Sequence, residues 1–556
     1  MFIRSKPFSK ETQKVRVQII ENVRNGAKIS QRIIRHVGVA HDAEEEAKMR
    51  QYAVELIAKI KQSREDEIGQ GRLFDHYGPS KPGRPAKKDI SKILTVDQVV
   101  LKDLKETKRI VEGVHDVGGH VYQQLGFNQL LGRKRDQAIL QDIVLSRMVS
   151  PESKMGLQKL LCEQFDKHHS LDSIYRMMDK IYPNIQRIKE LCFFGSKSLI
   201  PNQEVRVAFF DVTTLYFESV EVDELRQFGY SKDHRFNTTQ VVLALATNED
   251  GLPLGYELFS GNTAEVKTLL KAIDNWKSYL NIKELCFIAD RAMFSKENLM
   301  VLDKSGYKYV IAAKLRGVGK KLQTEILSED NYEPTILGNE LAWIGEFSYE
   351  GKRLITSYKS SRARHDAKER NVILEKIAKT LGKQEGSSKK LVTNSGVKKF
   401  TSITDSKAMI DESKIALDAA WDGLHGVITN DFNIKATHAI AMYARLWVIE
   451  ESFRINKHNL EMRPIFHWTK ERIESHMALC YMSFTILRHI EYKVALLQKI
   501  SPREIMKLLL SVQASILEHK VTKDQYRLPG VTKNEARKIY RAFNLTRNYD
   551  PEIYLN

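Results

Sequence analysis

The chain has 556 residues, of which 42% are hydrophobic, enough for two or more packed cores, and its four widely spaced cysteines exclude a disulfide scaffold. It contains no run of about 18 uncharged apolar residues and no signal peptide, so we expect a cytoplasmic protein without a membrane partner. The formal net charge of +18 favours a polyanionic partner such as nucleic acid, although a generally basic proteome would produce the same excess.

The first predicted unit, residues 1–66, combines a β-hairpin with a helix. Two β-rich runs in residues 14–37 flank the turn Asn25-Gly26, a dipeptide typical of hairpins. Residues 42–66 follow as a helix, with three glutamates near its start, where the helix dipole favours anions. Since many polar positions of this unit carry Arg or Lys, we predict that it binds DNA.

A linker and a helical module follow this unit. Gly, Pro and Lys dominate residues 67–95, which predicts a linker. Its centre, KPGRPAKK, is similar to an AT-hook, an extended basic segment that lies in the minor groove of A·T-rich DNA. In that case Arg84 would contact DNA. A solvated basic linker explains the same residues. Apolar residues recur at three- and four-residue spacing in residues 96–200, so we predict a helical module that either holds DNA or only packs.

Residues 201–316 change to an α/β pattern. Strands and amphipathic helices are predicted in the order β, ββ, α, β, α, β, and the paired strands flank the turn Asp250-Gly251. This order predicts a mixed sheet with flanking helices.

The remaining residues are predicted to form an insertion followed by helices. The insertion covers residues 317–430 and contains a strand pair and one charged helix. Residues 431–520 continue the α/β part, with one long helix at 437–460 and further helices at 470–520. The tail, residues 521–556, is basic and less regular.

Two aspartates stand at positions where an ionised carboxylate is costly. Asp211 interrupts the apolar strand VAFFDV, which is unfavourable unless the carboxylate is paired or binds a metal. Asp290 ends the apolar run CFIAD, and ligand sites often form at strand ends. On adjacent strands the two carboxylates would converge as oxygen ligands suited to Mg²⁺. A capped or salt-bridged aspartate explains either residue taken alone.

A third carboxylate lies in the helical segment YARLWVIEESFRINKHNLEMRP. Glu450, Arg454 and Lys457 fall on one helix face. One interpretation is a solvated face with intrahelical ion pairs. The other is that Glu450 completes a two-metal site for in-line phosphoryl transfer, while Arg454 and Lys457 hold phosphates.

At these residues the chain resembles the DDE transposases of bacterial insertion sequences, in the branch marked by a Y-R-E-K signature. That signature separates Tyr, Arg, Glu and Lys by two, three and six residues. Tyr443, Glu450 and Lys457 fit this spacing. Leu446 occupies the Arg position, and Arg445 is offset from it by one helical step of about 100°.

Other stretches resemble the same branch in chain order. They are FGYSKDHRFNTTQ at 228–240, GNTAEVKTL at 261–269, ADRAMFS at 289–295, WDGLHGVITN at 421–430 and LEMRPIFHWTKERIESHM at 460–477. The resemblance implies a ribonuclease H-like mixed sheet with flanking helices, interrupted by a mostly β insertion. It also implies Asp211, Asp290 and Glu450 as catalytic ligands of two Mg²⁺ ions, for which Mn²⁺ would substitute.

The resemblance further implies cut-and-paste movement of an element bounded by inverted terminal repeats. Its partner would be double-stranded DNA, as terminal repeats and as target. A second copy of the chain would join the active complex, since two element ends must meet. No small-molecule cofactor is implied. Some relatives stack a flipped base on an aromatic residue, for which Trp343 is a candidate and a strand-core role the alternative. The candidate DNA contacts are Tyr443, Arg454, Lys457, Lys232, His234, Arg235, Arg291 and Arg84.

Two other functions fit the same residues. A nuclease of this fold would hydrolyse DNA without joining it, and a decayed transposase would bind DNA without cutting it. The long insertion and the basic N-terminal unit favour transposition, and the presence of all three carboxylates argues against decay. The SKDHR motif with Lys232, His234 and Arg235 is either a phosphate contact or a polar turn.

Overall fold

The computed structural model divides the chain into two compact units, residues 1–93 and 94–556. In the first unit it describes residues 2–7, 15–25, 28–40 and separate residues between 43 and 57. In the second it describes residues 99–554 except for 218–220, 230–237, 277, 280–285, 290–295, 339, 382–398, 405–406, 461, 463–464 and 498–499. The linker predicted at residues 67–95 lies outside the described residues.

The first unit contains a three-stranded antiparallel sheet. Its strands are β1 (Phe2–Pro7), β2 (Val15–Asn25) and β3 (Lys28–Ala40), in the order β1-β2-β3. The predicted hairpin is therefore confirmed, and β1 adds a strand that the sequence did not indicate. The described residues between 43 and 57 are helical, and Arg50 donates a hydrogen bond to Ser5 on β1 at 2.9 Å.

The second unit begins with one strand and a helical module. Its elements are β4 (Leu104–Val111), α1 (Gly119–Gln124), α2 (Lys134–Val149), α3 (Lys154–Phe165), α4 (Leu171–Ile181) and α5 (Ile185–Leu199). The serines before α3 and α4, Ser153 and Ser170, accept backbone N–H groups of the first turn and so define where both helices begin. The predicted helices are present, but the prediction missed β4.

Residues 201–316 form the centre of a nine-stranded sheet. The elements are β5 (Val207–Tyr216), β6 (Gln240–Thr247), β7 (Pro253–Ser260), α6 (Glu265–Trp276), β8 (Cys286–Ala289), α7 (Lys296–Lys304) and β9 (Lys308–Ala312). The strand order here is β7-β6-β5-β8-β9. β6 is antiparallel to β5 and β7, whereas β8 is parallel to β5 and β9. The predicted succession of strands and helices is confirmed.

The residues predicted as an insertion extend this same sheet. Their elements are α8 (Lys320–Leu327), β10 (Glu333–Leu337), β11 (Glu340–Tyr349), β12 (Lys352–Tyr358), α9 (Ser360–Leu381), β13 (Thr401–Thr404), β14 (Lys407–Ile410), α10 (Glu412–Ala419) and β15 (Leu424–Thr429). β15 pairs with β9, and β12, β11 and β10 follow it outwards. This pairing covers the sheet edge that β9 would otherwise expose. The described part of 317–430 is mixed rather than mostly β, because α9 is its longest element.

The C-terminal part differs from its prediction at two places. Its elements are α11 (Ala436–Ala444), α12 (Trp447–Arg454), α13 (Lys470–Ala495), α14 (Pro502–Leu510), β16 (Gln513–His519), β17 (Gln525–Pro529), α15 (Asn534–Ala542) and β18 (Glu552–Ile553). The long helix predicted at 437–460 is interrupted between α11 and α12. The tail predicted to be irregular joins β4 and β16 in a four-stranded antiparallel sheet of order β18-β17-β16-β4.

Helix α13 is the centre of the packing. It is buried on most of its faces and contacts α2, α4 and α5 of the helical module. α5 in turn packs against β7, so the module covers one face of the sheet, and α6 packs against the other face. Within the described ranges, no helix combines the length and apolar character needed to cross a bilayer.

Candidate active site

The first predicted carboxylate lies in the middle of the sheet. Asp211 is the fifth residue of β5, which is hydrogen-bonded between β6 and β8. The other residues of β5 are buried except Tyr216 at its end, whereas Asp211 is half-buried. Its Oδ1 accepts a hydrogen bond from the backbone N–H of Val212 at 2.7 Å. The strand therefore holds one oriented carboxylate at a position open enough to meet a ligand.

The second carboxylate, Asp290, lies outside the described residues. Its neighbour strand β8 is described and runs parallel to β5, with Ile288 paired to Phe209. In the sequence, Asp211 follows Phe209 by two positions and Asp290 follows Ile288 by two positions. The other predicted site residues outside the described part are Lys232, His234, Arg235, Arg291 and Arg84.

The third carboxylate lies on a helix that packs against the strand of the first. Glu450 is in the first turn of α12, and its side chain is exposed. The opposite side of α12 is buried through Val448, Ile449 and Phe453. α12 contacts β5 and β6. The structure thus brings the elements that carry Asp211 and Glu450 together.

The Tyr and Arg positions of the signature lie at the interruption between α11 and α12. Tyr443 is near the end of α11, and its ring packs against His425 with 5.3 Å between ring centroids. Burial lowers the pKa of His425 to about 4, so this imidazole is neutral at physiological pH. Leu446 is partly buried against the core, and Arg445 donates to the carbonyl oxygen of Glu249 at 2.8 Å. The offset expected for one helical step does not apply here, because no helix continues through Arg445.

The cations expected beside Glu450 have other surroundings than predicted. Arg454 is exposed and donates to Glu451 at 3.2 Å rather than to Glu450. Lys457 is half-buried in the π-helical turn Ile455–Asn459. A π-turn is wider than an α-turn, so Lys457 leaves the face that a continuous α-helix would give it. Of the three residues predicted to share one helix face, only Glu450 and Arg454 therefore do so.

A buried arginine that the sequence did not indicate holds the turn between β6 and β7. Arg488 on α13 donates from Nε to the Gly251 carbonyl at 2.8 Å and from Nη2 to the Asp250 carbonyl at 3.0 Å. Arg445 binds the preceding carbonyl, that of Glu249. α13 and the interruption between α11 and α12 thus both bind this turn, which fixes the start of α12 relative to the sheet.

Trp447 is a second residue that sequence reasoning missed. It is 56% exposed and precedes Glu450 by three residues and Arg454 by seven, so the three share one face of α12. Its spacing from Glu450 was the available signal. Trp343, the residue considered for base stacking, is half-buried on β11 and packs edge-on against Tyr358 at 5.7 Å. That contact is what a strand-core role requires.

The described donors suit a hard cation. Among the residues that the structure describes, no three His, Cys, Asp or Glu side chains form a metal-binding group, and the predicted set includes Asp290 from outside them. The two described members, Asp211 and Glu450, offer carboxylate oxygens only, the ligand type that Mg²⁺ prefers.

Comparisons with known proteins identify a family. Residues 202–486, which are 285 of the 556 residues, match the family model described as the transposase DDE domain. The match extends from just before β5 into α13. A solved structure titled "Mos1 transposase paired-end complex with left transposon end" is 15% identical, with a TM-score of 0.14. It is matched over 33% of this chain and 59% of that one, less than two thirds of its length. No curated protein matches the chain.

Proposed function

Because the chain belongs to the family of transposases with a DDE domain, whose members cleave and transfer DNA, we propose that it moves a bacterial insertion sequence by cut and paste. In this proposal it belongs to the Y-R-E-K branch and acts on DNA at the nucleoid. Two copies bind the terminal inverted repeats, free the element and join it to target DNA.

The observation that carries this proposal is the strand order around Asp211. Three antiparallel strands, β7-β6-β5, continue into β8 and β9, which run parallel to β5. This is the arrangement that we propose to be ribonuclease H-like. Asp211 lies in β5, Asp290 directly follows β8 in the sequence, and Glu450 lies on the helix that packs on β5. Asp211 and Glu450 thus belong to elements that pack against each other, and β8, the strand that Asp290 follows in the sequence, is the neighbour of β5.

We propose that Asp211, Asp290 and Glu450 hold two Mg²⁺ ions. When bound, such ions activate the attacking oxygen and stabilise the leaving oxygen of a phosphoryl transfer. The chain contributes orientation. The Val212 N–H fixes one oxygen of Asp211, and the buried side of α12 fixes the direction of Glu450.

The exposed face of α12 is proposed to meet the DNA. Arg454 is a phosphate contact, because its guanidinium is exposed and needs only to leave a surface ion pair with Glu451. Trp447 offers a flat apolar surface on which a base stacks. Tyr443 and Lys457 complete the DNA-binding set near Glu450, and the second copy brings the other element end.

Cleavage of a labelled DNA end from the parent element tests the proposal. With Mg²⁺, we expect the wild type to nick at the element boundary and to join the end to target DNA. Asp290→Ala abolishes both steps, whereas the control Asp172→Ala, an exposed residue of α4 paired with Arg176, changes neither. Nicking without joining would favour the nuclease, and boundary binding without nicking the inactive derivative.

The third ligand has its own test. Glu450→Gln keeps the size of the side chain and is expected to abolish nicking while the affinity for the DNA end stays within about twofold. Gel-shift and nicking assays on the same preparation separate the two quantities. Cleavage retained in Glu450→Gln would exclude Glu450 as a metal ligand and leave the family assignment intact.

A further inference from the structure

A cavity of about 290 Å³ lies between the start of α3 and the segment that leads from α12 into α13. Its walls include the cationic or titratable side chains Arg147, Lys154, His467 and His476. We call this cavity the basic pocket. The aromatic rings of Tyr175 and Phe466 also line it, and Phe466 is exposed. The basic pocket contains none of the three predicted carboxylates.

Within the part of the chain that the structure describes, two buried side chains of the basic pocket lack a polar partner at their nitrogen. Lys154 is only 6% exposed, and among the described residues its ammonium has neither a hydrogen bond nor a salt bridge. The Nδ1 atom of His476 is buried and has no hydrogen-bond partner among those same residues. A lysine side chain that is this deeply buried without a counter-charge among the described residues is costly, and so is an unpaired imidazole nitrogen.

Electrostatics around the pocket favour an added anion. Burial, and then the charge of Arg147, lower the pKa of Lys154 to about 7. Burial, and then the charge of Lys154, lower the pKa of His467 to about 3. The groups therefore oppose one another's positive charge. The only carboxylate among the described lining residues is that of Glu152, which is exposed.

The helix that opens into the pocket adds to this field. α3 has 12 residues, and Ser153, Lys154 and Met155 at its start all line the cavity. Ser153 accepts the N–H of Gly156, which leaves other first-turn N–H groups for a ligand. A helix N-terminus carries a partial positive charge and favours a phosphate group.

We propose that the basic pocket binds a phosphate group of a DNA strand, as a second phosphate site beyond the metal-binding carboxylates. The identity of the strand rests on the proposed function. Its phosphate accepts hydrogen bonds from Lys154, His476 and the first turn of α3, while Tyr175 and Phe466 contact the attached sugar or base.

One wall of the pocket connects it to the segment of the predicted catalytic glutamate. Arg147 donates from Nη2 to the carbonyl of Leu460 at 3.0 Å and from Nε to Cys480 at 3.0 Å. Leu460 directly follows the π-helical turn that continues α12. A phosphate held beside Arg147 therefore lies against the end of the segment that begins with Trp447 and Glu450.

The test compares Lys154→Met with Lys159→Met in the full-length protein. Lys159 lies on the same helix, but its side chain is 73% exposed and pairs with Glu163. Fluorescence anisotropy of a labelled 25-base-pair duplex is measured across a salt series (length chosen to span about two helical turns). We expect Lys154→Met to weaken binding about tenfold and to reduce the salt slope by about 0.9. The control keeps the wild-type slope.

A Lys154→Met protein that keeps its melting temperature and binds the duplex with wild-type affinity and slope would overturn the proposal. If Lys154→Met does not fold, Lys154→Gln, which also removes the charge, takes its place in the same assay. If wild type binds with a slope that depends on Lys154 but never nicks an element end, the proposed function fails and the phosphate site stands.

A second arm separates a DNA phosphate from a free one. Inorganic phosphate and thymidine 5′-monophosphate are titrated into wild type and Lys154→Met by calorimetry. Weak binding of either, lost in Lys154→Met together with duplex affinity, supports a site for a DNA phosphate. Tight binding of free phosphate with unchanged duplex affinity in Lys154→Met would overturn the assignment to DNA.

Discussion

Two buried cations of the second unit differ in what surrounds them. Arg488 on α13 donates to the carbonyls of Asp250 and Gly251, and its Nη1 lies 2.6 Å from Glu491. Lys154 on α3 is equally buried, yet among the described residues its ammonium has no partner. A buried cation whose donors are used is explained by folding, whereas one without partners lowers stability and points to a ligand. The two residues can therefore be separated by experiment.

The largest effect on stability is expected for Arg488→Met. The change leaves two carbonyl oxygens and the Glu491 carboxylate without their donor, and we expect a loss of about 3 kcal/mol in the free energy of unfolding. Denaturant unfolding measures it, with the exposed arginine variant Arg503→Met as the control. Equal stability of both variants would remove the distinction between Arg488 and Lys154.

The turn that Arg488 binds gives the next largest effect. Gly251 has a φ of +76°, and a Cβ there would lie 1.4 Å from Nη2 of Arg488. Gly251→Ala is expected to cost about 2 kcal/mol of unfolding free energy. Gly132→Ala is the matched control, since nothing lies within 4 Å of its Cβ position. The double variant with Arg488→Met should lose less unfolding free energy than the two single variants lose together, because both changes act on one contact.

Tryptophans allow the same separation of packing from ligand binding. Trp447 is exposed beside Glu450, whereas Trp343 packs against Tyr358. We expect Trp447→Ala to weaken binding of a DNA end about tenfold without lowering the melting temperature. Trp343→Ala should do the reverse, with a lower melting temperature and little change in affinity. Anisotropy and thermal unfolding are measured on both variants. The opposite pattern, with affinity lost in Trp343→Ala and melting temperature lost in Trp447→Ala, would contradict the assignment.

The parts of the fold that the sequence predicted depend on local signals. β6 and β7 flank a turn at Asp250-Gly251, and α6 and α7 follow helical periodicity. The elements of residues 201–316 can therefore be predicted from short stretches of sequence. The pairing of β4 with β16 joins Val111 to Gln513, and no local pattern records it. The addition of β10, β11 and β12 to the sheet edge is likewise a matter of distant pairing.

The candidate site shows the same limit. Asp211 and Glu450 were identified because a carboxylate interrupts an apolar strand and because a signature has fixed spacing. The interruption between α11 and α12 contains neither Pro nor Gly, and Arg445 is bound there by a carbonyl 196 residues earlier in the chain. Arg488 was missed for the same reason, since the partners that it binds in the turn are backbone carbonyls, which carry no residue-specific signal.

The last expected effect has the opposite sign and completes the comparison. Lys154→Met removes a buried charge and keeps the length of the side chain, so we expect stability at neutral pH to rise rather than fall. The pKa of Lys154 is about 7 in the folded protein and about 10.4 in the unfolded chain.

Between these two values the unfolded chain binds more protons, so the contribution of Lys154 to stability rises with pH from about 7 to about 10. The groups that face it are Arg147, the exposed Glu152, Tyr175, His467 and His476, and burial keeps the two imidazoles neutral in this window. The stability difference between Lys154→Met and wild type should therefore shrink as pH rises. Duplex DNA should also shrink this difference at pH 7, because it binds the wild type with Lys154 charged and so stabilises it. A difference that is independent of both pH and DNA would mean that Lys154 already has a counter-charge, which would place it with Arg488 among the satisfied cations.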